Sequence, residues 1–143
     1  MSRYLLDINI ISNALKPIPS PELADWMERQ ADESLFISAL TVAEIQRGML
    51  LLPAGRRHRA LESWFAGPSG PQALFRGRIL AFDESAAAIW ARLMAEGSAR
   101  GRPRSGLDMI IAATAVANDC IMVTANEKDF TGVTVLNPMK SPH

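Results

Sequence analysis

Two rhythms of apolar residues alternate along this chain. Short runs rich in aliphatic and β-branched residues occupy 4–6, 35–37, 78–82, 121–124 and 133–136, and they read as strands. Between them, apolar positions recur at helical spacing over 10–15, 21–30, 41–52, 57–65, 85–100 and 108–118, with Pro21 where a first helical turn accepts it. In 85–100, Ala88, Trp90, Ala91, Leu93 and Met94 form a stripe with Arg92 and Glu96 between them, a face suited to packing on a sheet. The Gly/Pro stretch 67–71 and the stretch 97–106, with Arg100, Arg102 and Arg104 around Pro103, predict loops. Strands alternating with helices imply an α/β fold around a parallel sheet.

Composition narrows the setting. The 143 residues suit one domain, 1–143, and contain no internal repeat. Lysine plus arginine number 15, as do aspartate plus glutamate, so any attraction for a polyanion has to come from local patches. Cys120, the lone cysteine, lies beside an apolar run, which predicts a buried free thiol in a reducing, cytoplasmic setting. The first apolar run is interrupted by Asp7 and Asn9, so neither a signal peptide nor a membrane span is predicted.

Candidate chemistry sits at the strand ends. Asp7-Ile8-Asn9 directly follows the first strand, and open parallel sheets bind ligands beyond the carboxyl ends of their strands. Capping of the next helix is the structural alternative for Asp7. Glu44 lies at the start of the helix after the second strand, where Thr41 and Glu44 have the spacing of a capping box. Asp108 opens an apolar helix of small residues, and Ser105 allows a similar box there. Asn126 and Asp129 follow the fourth strand, where an ordinary turn also accounts for them. Each acid has its own structural explanation, yet all share the carboxyl side of one sheet.

Two carboxylates about 4 Å apart repel by roughly 4 kcal/mol at an effective dielectric of about 20, so several together protonate or separate unless a cation joins them. Mg²⁺ takes oxygen ligands, keeps several waters and bridges to phosphate oxygens, and a metal-activated water hydrolyses phosphodiesters. No Cys/His spacing suits zinc, and His58 and His143 alone do not suggest a histidine acid/base pair.

Leu5-Leu6-Asp7-Ile8-Asn9-Ile10-Ile11-Ser12, Ser38-Ala-Leu-Thr41-Val-Ala-Glu44, Asp108-Met-Ile-Ile-Ala-Ala-Thr114-Ala and Val123-Thr-Ala-Asn126-Glu-Lys-Asp129-Phe130 resemble, in order and spacing, the four blocks of PIN domains of the VapC-like toxin group. The likeness extends over nearly the whole chain, through Gly77-Arg78-Ile79-Leu80-Ala81-Phe82-Asp83 and Asn137-Pro138. It implies a three-layer α/β/α sandwich around a parallel sheet, Mg²⁺- or Mn²⁺-dependent cleavage of RNA, a homodimer, and a cognate antitoxin that also binds DNA. By position, Asp7, Glu44 and Asp108 match the three core acids, which would hold the metal, and Asn126 or Asp129 matches a variable fourth position. Asp129 joins these three as a candidate catalytic residue, and Asn9, Ser12, Thr124 and Asn126 are candidates to support them. Ile8 departs from the family, which usually has Thr or Ser there, and Ser12 and Thr124 are the hydroxyls able to compensate.

Arg56, Arg57, His58 and Arg59 form one positive patch, and Arg100, Arg102 and Arg104 form another. The second precedes Asp108 and is expected to contact RNA phosphates, whereas the first reads equally as a solvated face. The helix over 41–52 is more apolar than solvent requires; beyond its share of the core it suggests, with Trp26 and Trp64, a surface for an antitoxin or a second copy. Two competing readings follow. One is a weakly active PIN-like module that mainly binds an antitoxin in a DNA-binding repressor complex, suggested by Ile8. The other is a phosphoacceptor domain, disfavoured because Asn9 stands where the haloacid-dehalogenase-like pattern has a second Asp.

Overall fold

A computed structural model describes residues 2–140. Strands β1 (Arg3–Leu6), β2 (Leu35–Ser38), β3 (Ile79–Leu80), β4 (Cys120–Val123) and β5 (Val135–Leu136) pair in the order β3-β2-β1-β4-β5, each pair parallel. Helices α1 (Ile8–Ala14), α2 (Pro21–Glu28), α3 (Ala39–Leu50), α4 (Arg56–Ala66), α5 (Pro71–Leu74), α6 (Glu84–Ala99) and α7 (Gly106–Ala117) connect and cover them.

Successive strand residues point to opposite faces, and β1 uses this to serve two cores. Leu6 packs with Ile10, Leu23, Ile37 and Val42 on the side of α1, α2 and α3, whereas Leu5 packs with Leu93, Met109, Ala112 and Met122 beneath α6 and α7. Burying each such aliphatic side chain contributes about 1.5–3 kcal/mol. With both faces covered the sheet is the middle layer of a three-layer α/β/α sandwich, as expected. Its central helix α7 is buried at Met109 and at every position of Ile111–Ala115, where alanines allow close approach.

Topology places the site. From β1 the chain builds outward through β2 and β3, then returns to lay β4 on the other side of β1. The strand order therefore reverses between β1 and β4, the location where open α/β sheets leave a crevice. Asp7 ends β1 there, its amide still donating to the Val123 carbonyl at 2.9 Å.

Several boundaries differ from the sequence expectation. Helix α3 begins two residues earlier than Thr41, because Ser38 caps it. Helix α6 continues through Gly97 to Ala99, so the loop that follows is shorter than 97–106. Pro71, expected to end a loop, instead starts the short helix α5. Strands β3 and β5 hold two residues each, fewer than expected, and Asp83 beyond β3 caps α6. Trp26 belongs to the core rather than to a partner surface: it is 9% exposed and stacks edge-on against Tyr4, with ring centroids 5.1 Å apart. Cys120 is buried and free, as expected. His143 lies outside the described residues. Among the described residues no helix is long and apolar enough to cross a membrane.

Candidate active site

Asp7 combines both roles that its position suggested. One carboxylate oxygen, Oδ1, accepts from the Ile8 N–H at 2.9 Å and caps α1. The other, Oδ2, accepts from the Thr124 hydroxyl at 2.8 Å and from Asn9 Nδ2 at 3.0 Å. Asn9 Oδ1 in turn accepts from the Ala125 N–H at 3.1 Å, and Thr124 Oγ1 accepts from the Asn126 N–H at 3.0 Å. This network stitches the end of β1 to the turn after β4. Thr124 is fully buried and supplies a hydroxyl to the first acid despite Ile8. Ser12 is exposed and lines a neighbouring groove instead.

Glu44 does not form the expected capping box. Ser38 Oγ accepts from the Thr41 N–H at 2.9 Å and donates to Thr41 Oγ1 at 3.0 Å, which places Glu44 in the second turn of α3, too far along to reach back to the cap. Its Oε1 is buried without a hydrogen-bond partner. At Asp108 half a box forms: Ser105 Oγ accepts from the Asp108 N–H at 3.3 Å. Asp129 is exposed in the short 3₁₀ turn Glu127–Phe130, which Phe130 pins into the core.

The four acids share one electrostatic environment. Burial, above all, raises the Asp7 carboxyl from its ordinary range, against the hydrogen bonds from Thr124, Ile8 and Asn9, and the Asp129 charge adds to the rise. Burial likewise raises Glu44, followed by the charges of Asp7 and Asp108, with Arg47 opposing. Asp108 is raised by burial, then by Asp7 and Asp129, with Ser105 opposing. Asp129 therefore contributes a charge felt by both Asp7 and Asp108, whereas Asn126 contributes its backbone N–H to Thr124.

These carboxylates are near enough for their charges to couple without closing on a point: Glu44 lines one groove, and Asp108 and Asp129 line another cavity. Among the described residues no three His, Cys, Asp or Glu side chains stand close enough to ligate one ion directly. The donor set nevertheless fits Mg²⁺ or Mn²⁺. Glu44 Oε1 is an orphaned buried acceptor, the charges of Asp7 and Asp108 raise its carboxyl, and Mg²⁺ commonly binds through one or two carboxylates while keeping several waters.

The basic loop divides. Arg100 and Arg102 are exposed and line a cavity of about 430 Å³. Arg102 also borders a smaller cavity of about 290 Å³ that contains Asp108, Asp129 and Lys128. Sequence reasoning passed over Lys128, whose only signal was its place beside Asp129. Arg104 differs from this expectation: its side chain is 6% exposed, and Nε and Nη1 are engaged by Thr131, Leu93 and Glu96, although it also lines both cavities. In the first patch, His58 Nδ1 lies 3.2 Å from the Leu52 carbonyl and joins the turn before α4.

Beside the acids, Ile8, Ile11, Leu15, Met49, Leu61 and Trp64 line an apolar groove of about 540 Å³ between α1, α3 and α4. Glu44 stands in its wall, so one of the acids belongs to the groove.

Comparison with known proteins agrees with this architecture. The chain is 36% identical over 136 residues to toxin FitB of Neisseria gonorrhoeae, covering 94% of this chain and 96% of that one. It is 35% identical over 136 residues to the VapC ribonuclease Y4jK of Sinorhizobium fredii, with the same coverage. The solved structure of FitAB bound to an IR36 DNA fragment superposes with a TM-score of 0.88 at 34% identity, covering 98% of both chains. The model of the PIN domain matches residues 4–135, which is nearly the whole sandwich together with all four acids. Sequence, sheet order and relatives thus agree, and the chain belongs to the PIN-domain family.

Proposed function

We propose that residues 1–143 act as one PIN-like nuclease unit, a Mg²⁺- or Mn²⁺-dependent endoribonuclease that serves as the toxin of a type II toxin–antitoxin pair. The observation that carries this reading is Glu44 Oε1, buried without a partner on a carboxyl that burial and the charges of Asp7 and Asp108 raise. Relatives named ribonuclease and toxin support it.

Asp7, Glu44 and Asp108 would hold the cation in part through waters that it retains. A bound ion would supply Lewis-acid chemistry to phosphodiester hydrolysis. Thr124 and Asn9 fix Asp7 Oδ2 so that one acid is oriented before substrate arrives. Asp129, at the solvent edge, accepts a proton from the attacking water at its carboxylate. Arg100, Arg102 and Lys128 contact phosphates on either side of the cut bond, which makes binding salt-sensitive.

The apolar groove takes an amphipathic segment of the antitoxin, and DNA is reached only through that protein. The solved relative bound to DNA supports the assembly. A homodimer is part of the reading; Leu107 is 59% exposed and supplies apolar area for it. A cytoplasmic setting, where RNA and an antitoxin would both be met, is part of the reading. Ile8 motivates the weakly active alternative less than it did, because Thr124 provides a hydroxyl to Asp7.

The test is cleavage of single-stranded RNA by the purified chain in Mn²⁺, in chelator, and with Asp108→Asn. Cleavage confined to wild type in Mn²⁺ is expected. Cleavage that persists in chelator, or in the variant, rejects the assignment.

A further inference from the structure

Arg104 stands apart from the other arginines of its loop. Its side chain is 6% exposed; Nη1 donates to the Leu93 carbonyl at 2.6 Å and lies 3.7 Å from Glu96 Oε2. Nε donates to Thr131 Oγ1 at 3.1 Å. Leu93 and Glu96 belong to α6, Thr131 follows Asp129 by two residues, and Arg104 itself precedes Asp108 by four. One planar group with donors in a fixed fork therefore ties together the segments that carry two of the acids.

Two glycines leave room for it. A Cβ on Gly97 would lie 2.9 Å from Arg104 Cγ and 2.9 Å from the Arg102 carbonyl. A Cβ on Gly132, whose φ is +91°, would lie 2.8 Å from Arg104 Nη2. Trp90 Nε1 adds a parallel tie by donating to the Gly106 carbonyl at 3.1 Å, which holds the start of α7 against α6. Asp108 and Asp129 repel each other, and on unsupported segments such charges move apart.

We propose that Arg104 is a positioning residue of the acidic cleft: through Leu93, Glu96 and Thr131 it sets the separation of Asp108 from Asp129. The spacing is a property of the fold, and only its kinetic consequence rests on the nuclease reading above. Arg104→Met keeps bulk and removes the donors, while Gly97→Ala keeps the guanidinium and pushes against the Arg104 stem and the Arg102 carbonyl.

Mn²⁺ affinity, measured by electron paramagnetic resonance on the full chain, is expected to fall about 10- to 100-fold in Arg104→Met. RNA cleavage should show the same loss in kcat, a KM changed less than about twofold, and recovery as Mn²⁺ is raised. Gly97→Ala should move the same quantities in the same direction, and it carries the test if Arg104→Met does not fold. A raised KM with unchanged kcat and Mn²⁺ affinity would make Arg104 a phosphate contact and overturn the proposal. So would a lowered Tm with both quantities unchanged in the folded variant. A crystal structure of either variant with the Asp108 to Asp129 separation of wild type also overturns it. Should wild type cut no RNA, the nuclease reading fails, while Mn²⁺ affinity and the variant structures still decide the role of Arg104.

Discussion

Asp7 and Glu44 are close enough for one charge to act on the other, and they are held in opposite ways. Asp7 is almost wholly buried, and its two oxygens accept from Ile8, Thr124 and Asn9. Glu44 is half-buried, and its enclosed Oε1 accepts from nothing. A carboxylate with its donors in place is oriented by the protein alone. One left with an unpartnered oxygen is completed by something that arrives, because an unsatisfied buried acceptor costs about 1–3 kcal/mol. The first acid is an anchor and the second a receptor.

Breaking the anchor has the largest expected effect. Asp7→Asn keeps an oxygen for the Ile8 N–H, so the chain should still melt cooperatively, while RNA cleavage falls on the order of a thousandfold, equivalent to several kcal/mol of transition-state stabilisation. A variant with near-normal turnover separates Asp7 from the chemistry. Next comes Thr124→Val, which removes the donor to Asp7 Oδ2 and the acceptor of the Asn126 N–H. Activity should drop about 10- to 100-fold. Thr124→Ser should restore most of it, and failure of serine to do so would make the methyl group, not the hydroxyl, the important part.

Glu44→Gln sharpens the other side. Burial and neighbouring charge raise the Glu44 carboxyl, so the folded chain holds that proton more tightly than the unfolded chain does. Its stabilising effect is complete below the ordinary glutamate range and is lost as pH rises through the raised value. In chelator at neutral pH, Glu44→Gln should therefore melt above wild type. The gap should close in mild acid, and Mn²⁺ should narrow it by favouring wild type. Thermal melts across pH check this, and a gap independent of pH would mean that Glu44 is not strained by its neighbours. Smallest is Ser105→Ala, which removes the cap on the Asp108 N–H. It should cost about 1 kcal/mol of stability by denaturant titration and leave Asp7 and its partners unaffected.

Much of the fold was legible because burial follows periodicity: Leu5 and Leu6 already announce a strand covered on both faces. The acids were legible because strand ends and helix starts leave a trace in the sequence. Glu44 was harder to read. Thr41 matches the first position of a capping box, but Ser38 took the cap, and one hydroxyl decided which reading held. Arg104 was misread because an arginine in a loop looks solvated until its cavity is known. The signal was present in Gly97 and Gly132, yet nothing along the chain says that two glycines 35 positions apart flank one side chain. Trp26 was misassigned for the same reason, its partner Tyr4 lying on the first strand.

The bond from Thr124 to Asp7 joins residues 117 apart in the chain. During synthesis the first acid emerges well before the strand that completes its surroundings. A nascent chain stopped anywhere before β4 lacks the crevice altogether. A chain truncated before β4 is therefore expected to leave Asp7 without its Thr124 partner, and the strand order delays completion of the site until β4 has been made.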